Sequence, residues 1–167
     1  MKNRETKKRK RGLRTKGREL ALQMLFSLTF IPENKINIDN KFEQFLDSFF
    51  DIKDGINPKV IQFAKELVSG VIDHVQELDK IIEEHSENWK IERIGKVELS
   101  ILRLSIYEML YRDDVPYKVA INEGIELTKI FAEEKSRNFI NGILDAVGKK
   151  ILNKYKDSGE NEDVSKV

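Results

Sequence analysis

Lys96-Val97-Glu98-Leu99-Ser100-Ile101-Leu102-Arg103-Leu104-Ser105-Ile106-Tyr107-Glu108-Met109-Leu110-Tyr111 is the stretch on which the fold turns. Its apolar residues (Val97, Leu99, Ile101, Leu102, Leu104, Ile106, Met109, Leu110) neither alternate nor form one narrow stripe. At 3.6 residues per turn they spread around most of a helix. A helix apolar on so many sides needs several others packed around it. The spacing therefore predicts a central helix over 96–111. Its one polar strip, Lys96, Ser100, Arg103 and Tyr107, faces either solvent or a partner, and Arg103 can alternatively pair with a neighbouring carboxylate.

Working outward, nearly every segment repeats with helical spacing. Toward the N-terminus, helices are predicted from near Thr15 to before Pro32, from Asp39 to Phe50, from Asn57-Pro58 onward, and from Val75 to His85. The first of these buries Leu20, Ala21, Met24, Leu25 and Leu28. Asn57 has the side chain of a helix cap, and Pro58 suits the first helical position. Toward the C-terminus, helices follow from Lys118 to Phe131 and from Ser136 to Tyr155. Gly124 and Gly142 lie inside them, where glycine costs about 1 kcal/mol relative to alanine. A close approach of these last two helices is the expected reason. No stretch reads as a strand, so the fold class is all-α, with about seven helices. A chain of 167 residues can build one core, either as a single domain or as two subdomains sharing it. The expected organisation is a disordered basic arm over 1–13 and a helical domain over 14–155. Its subdomains would meet near 75–76, and a disordered tail would cover 156–167.

Charge is distributed unevenly. The first eighteen residues hold ten of the 30 Lys and Arg but only one acid, Glu5. The net charge of +1 therefore joins an arm of +9 to a body of −8. Such an arm repels itself and is suited to a polyanion. If the first helix extends back into it, Arg11, Arg14, Arg18, Leu22 and Phe26 share one face. Cations ending in an aromatic ring suit single-stranded nucleic acid, with phosphates neutralised and a base stacked. For Phe26 the competing reading is core packing, which periodicity alone favours.

Catalytic patterns are missing. The sequence has no cysteine, which excludes disulfides, thiolate metal sites and a cysteine nucleophile. Gly95-Lys96 lacks the glycines of a phosphate loop. His74 and His85 lack the spacing of a helical metal site. Glu83-Glu84 and Glu133-Glu134 point about 100° apart on a helix and read as solvated faces. The apolar run 20–31 is too short to span a bilayer, and no cleavage motif follows it. The expectation is a cytoplasmic, non-enzymatic protein without a cofactor or metal.

Three blocks then carry a family resemblance: Ile101 to Met109, Asp114-Val115-Pro116-Tyr117-Lys118-Val119-Ala120-Ile121-Asn122-Glu123, and Phe139-Ile140-Asn141-Gly142-Ile143-Leu144-Asp145. Together with Trp89 to Ile94 and Arg18 to Gln23, they resemble the NusB family of transcription antitermination factors over roughly 14–152. The resemblance implies a helical fold of two subdomains and a partnership with ribosomal protein S10 on boxA RNA of ribosomal-RNA leaders. Other Nus factors and RNA polymerase complete the implied assembly, and a homodimer is the implied alternative for the free chain. It carries RNA contacts over to Arg14, Lys16, Arg18, Phe26 and Phe131, and matches Glu98 and Arg103 to polar positions around the S10 and RNA surfaces. This chain's own sequence adds Lys10 and Arg11, from an arm longer and more basic than the family minimum, and Lys135 to the expected RNA contacts, and Glu92 and Tyr107 to the expected partner surface. Lys135 stands where the family usually has an acid, and Phe26 where it often has Tyr. A related helical domain is appended to some ribosomal-RNA cytosine methyltransferases, which use a cysteine nucleophile. That alternative leaves this chain as an RNA-binding domain without catalysis of its own.

Overall fold

Helix α5 (Lys96–Tyr111) occupies the middle of the molecule. In the computed structural model, which describes residues 12–48, 55–87 and 89–158, it packs against α1 (Leu13–Leu28), α3 (Pro58–Asp73), α4 (Val75–His85), α6 (Tyr117–Phe131) and α7 (Ser136–Asp157). Helix α2 (Ile38–Ser48) lies on α3. Short 3-10 turns cover Glu33–Lys35 and Ile91–Arg93, and no strand occurs among the described residues. None of the described helices is long and apolar enough to cross a membrane.

The reason for the central position is the one its sequence gives. Ile101, Leu102, Leu104 and Ile106 point in different directions around α5, and all are fully buried. Burying such a side chain stabilises the fold by about 1.5–3 kcal/mol. Around them one continuous cluster gathers Leu22 and Met24 of α1, Phe42 of α2, Leu67 of α3, Ile82 of α4, Leu127 of α6 and Leu144 of α7.

Local signals set the helix ends. The Asn57 side chain accepts a hydrogen bond from the Lys59 N–H at 2.9 Å, with Pro58 opening α3. Helix α1 starts at Leu13 instead of Thr15, and α7 continues past Tyr155 to Asp157. Most of the expected arm (1–11) and most of the expected tail (159–167) lie outside the described residues.

The two glycines behave differently. A Cβ on Gly124 would lie 2.4 Å from Ser105 Oγ and 3.0 Å from Leu144 Cδ1. Its absence lets α6 approach α5 as well as α7. Gly142, by contrast, has no neighbour within 4 Å of that position. The expected close approach at Gly142 is corrected: it sits on an open face of α7.

Candidate nucleic-acid interface

The first turn of α1 brings cations to a helix start that has no acid of its own. The unsatisfied N–H groups there carry partial positive charge, so Leu13, Arg14 and Lys16 begin an anion-attracting surface. All three are exposed. Lys10 and Arg11, assigned to the same surface, lie outside the described residues. Arg14 reaches across to Asp114, in the turn between α5 and α6, with Nη2 at 2.5 Å from Oδ2. Its guanidinium also sits 5.2 Å from the centre of the Phe63 ring. Thr15 donates to Glu123 at 3.1 Å. Close packing beneath this surface depends on Gly17, where a Cβ would lie 2.6 Å from Phe63 Cδ1.

Arg18 corrects the sequence reading. Four residues after Arg14, it is 3% exposed. Its Nε donates to Glu108 Oε1 at 2.8 Å and its Nη2 to Oε2 at 2.8 Å. Glu108 is itself 1% exposed, and Glu123 lies 3.8 Å from Arg18 Nη1. This two-pronged geometry is the strong form of the pair. Arg18 therefore has no surface to offer a phosphate; it fastens α1 to α5.

The other end of α1 is open. Phe26 is 37% exposed and Phe30 61%, and their rings meet edge-to-face with centroids 5.3 Å apart. Lys96 Nζ lies over the Phe30 ring at 3.9 Å. Phe26 thus leaves the core that periodicity favoured for it. Beside these rings runs an apolar groove of about 400 Å³, floored by Leu28, Ile36, Ile72 and Leu99 and edged by Glu92, Lys96 and Arg103. Arg103 is held there by Asp79 of α4, with both contacts at 2.7 Å. Glu98 accepts from Ser136 Oγ at 2.7 Å, tying the start of α5 to the start of α7. Next to it, Lys135 pairs with Glu133 at 2.9 Å, and that hydrogen bond raises the lysine pKa. Phe131 is half-buried and packs against the core.

Comparison with known proteins decides the family. The model of the NusB family matches residues 15–149. The chain belongs to the NusB family. Among its relatives, the transcription antitermination protein NusB of Oleidesulfovibrio alaskensis is 50% identical over 137 residues, covering 81% of this chain and 87% of that one. The solved NusB of T. maritima superposes with a TM-score of 0.70 at 29% identity, covering 82% of this chain and 91% of that one. A solved complex of antitermination factors NusB and NusE with dsRNA contains a chain that superposes with a TM-score of 0.70 at 29% identity. That match covers 83% of this chain and 97% of the other.

In this NusB-family chain the assigned residues do not form one patch. Arg14 and Lys16 lie at the start of α1. Phe26 lies about 18 Å along the same helix at 1.5 Å per residue, at the end whose Leu28 lines the groove edged by Glu92 and Arg103. Tyr107 joins neither group. Its ring packs with Tyr111 at 5.6 Å and His74 at 5.9 Å, and burial raises its pKa. Tyr111 donates to Glu77, which pushes the phenol up to about 12. The strip expected to face solvent or a partner is therefore largely covered by the α3–α4 corner, and Ser100 within it is buried. Sequence reading missed Phe30, Phe63, Glu108 and Arg112. An acid deep within an apolar helix was the signal for Glu108; nothing local linked it to its partner ninety residues away.

Proposed function

We propose that this chain is an RNA-binding transcription antitermination factor that binds boxA RNA of ribosomal-RNA leaders together with ribosomal protein S10. The bound pair joins other Nus factors on RNA polymerase and suppresses premature termination. The observation carrying this reading is the acid-free, cationic start of α1, continuous with the basic sequence before it. It belongs to a fold similar to a NusB solved with NusE and dsRNA. Phosphate contacts by Arg14, Lys16 and the residues before them, Lys10 and Arg11 among them, supply affinity but little sequence information. The Phe26–Phe30 corner offers ring faces for bases. The groove edged by Glu92 and Arg103 offers S10 an apolar floor with charged ends. Glu98, Phe131 and Lys135 extend the same end of the molecule.

The test is a boxA titration with the protein alone, S10 alone and the mixture, with scrambled RNA as control. The mixture should bind boxA more tightly than either component, with no such gain on scrambled RNA. For a single strand, log K should fall with log salt by about 0.7 per neutralised phosphate. Deleting residues 1–11 and neutralising Arg14 and Lys16 should flatten that slope. An unchanged slope refutes the role of the basic segment.

A further inference from the structure

Arg112, at the end of α5, turns its guanidinium toward the start of α1. Its Nε and Nη2 each lie 3.1 Å from a different oxygen of Asp114. Arg14 holds the same carboxylate at 2.5 Å. Both guanidinium groups sit over one aromatic ring, with carbons 5.2 and 5.3 Å from the Phe63 centroid. One arginine fork and a second guanidinium converging on one anion beside a ring is an arrangement that equally fits a phosphate. The anion present is a side chain of the protein itself, half-exposed at 45%.

We propose that Arg14 and Arg112 together form a seat for one RNA phosphate on the helical body, and that Asp114 fills this seat until RNA displaces it. The inference rests on the RNA-binding reading above and adds to it a residue outside the basic arm. Asp114 supplies its negative charge to Arg14 in the first turn of α1, which has no acid of its own. A phosphodiester of an RNA strand matches the carboxylate, with two free oxygens and one negative charge, so it can take the same place on the two guanidinium groups. The surrounding groups permit the exchange. Glu108 is held by Arg18, Glu123 by Thr15 and Arg18, and Glu66 stays on Arg112 Nη1 at 3.0 Å. Three guanidinium groups face four carboxylates in this cluster, so it attracts no free anion by itself. The basic arm delivers the strand, and Asp114 sets how readily the seat opens.

The test uses the full chain with S10 and labelled boxA RNA at fixed salt. Asp114→Asn removes the competing charge and keeps the shape of the turn. It should bind about three- to fivefold more tightly, the upper figure corresponding to about 1 kcal/mol. Asp145→Asn, which removes an equal charge from an exposed pair on α7, should change binding by less than about half as much. Arg112→Gln alone should weaken binding, and the gain from Asp114→Asn should vanish in a chain that also carries Arg14→Gln and Arg112→Gln. Asp114→Ser should repeat the Asn result, and thermal unfolding confirms that each variant is folded. Binding by Asp114→Asn that is equal to or weaker than wild type overturns the proposal. So does a gain that survives without the two arginines. Failure of the wild-type mixture to prefer boxA over scrambled RNA instead overturns the RNA reading beneath it.

Discussion

The two ends of helix α1 solve opposite problems. At its start, charge is met by charge within the chain: Arg18 is locked to Glu108 in the interior, and Arg14 is held at the surface by Asp114. At its finish, Phe26 and Phe30 remain partly exposed beside an apolar groove, their rings edge-to-face with each other and Lys96 lying over Phe30. The difference teaches that a cation in a basic segment is not automatically available to a polyanion. Nor is an aromatic on a helix automatically core. Arg14 and Arg18 are one turn apart, yet only the first can change partners.

Breaking the buried pair is the strongest challenge to this contrast. Glu108→Ala strips the buried Arg18 guanidinium of its two-pronged partner and leaves only Glu123 at 3.8 Å, which should cost about 3 kcal/mol in urea unfolding. A loss below about 1 kcal/mol would mean the pair behaves as a surface contact. At the open end, Phe26→Ala and Phe30→Ala should each weaken boxA binding by about 1–3 kcal/mol, with the unfolding midpoint nearly unmoved for the more exposed Phe30 and only modestly lowered for Phe26. If stability falls as much as affinity, the rings are packing residues and the contrast fails.

Gly17→Ala probes the contact beneath the charged end. The added methyl meets Phe63 and forces a shift of about 1–3 kcal/mol, partly offset by the better helix propensity of alanine, about 1 kcal/mol. A net loss near 1 kcal/mol is expected from denaturation curves. The smallest effect is acid sensitivity at the surface. Burial opposes ionisation of Asp114, but hydrogen bonds from Arg14 and Arg112 hold its carboxyl below the ordinary 3.8. Hydrogen bonds from Gln62 and then Arg112 lower Glu66 below 4.5. Lowered carboxylates contribute stability above their unfolded values, and that contribution is lost as pH falls through the folded ones. Between about pH 5 and 3, Asp114→Asn combined with Glu66→Gln should lose less stability than wild type. Parallel curves would show that these exposed pairs contribute nothing.

Much of the fold was readable because helical periodicity is local. The bounds of α4 and α5 and the Asn57-Pro58 start of α3 follow from spacing and cap chemistry within a few residues. The candidate interface was readable only in part. Its cations stand out as a run, but the burial of Arg18 depends on Glu108, which no local pattern connects to it. Phe26 was misjudged from periodicity because it lies on the outer face of α1, while Leu25 and Leu28 at the same end are buried. Arg103 and Tyr107 looked available on a polar strip, yet Asp79 of α4 holds Arg103 and the His74 and Tyr111 rings pack on Tyr107. Phe63 gave no sign that three guanidinium groups would gather on its ring.

By itself the sequence determined an all-helical chain with its most apolar helix at the centre and its positive charge concentrated at one end. Hydrophobic spacing and charge runs act over a few residues, so they survive without any knowledge of neighbours. The tertiary structure alone decided which arginine is buried, which is shared with Asp114, and which aromatic rings stay in solvent. Those outcomes depend on groups brought together from distant parts of the chain, where burial and pairing, not residue type, set what each side chain can bind.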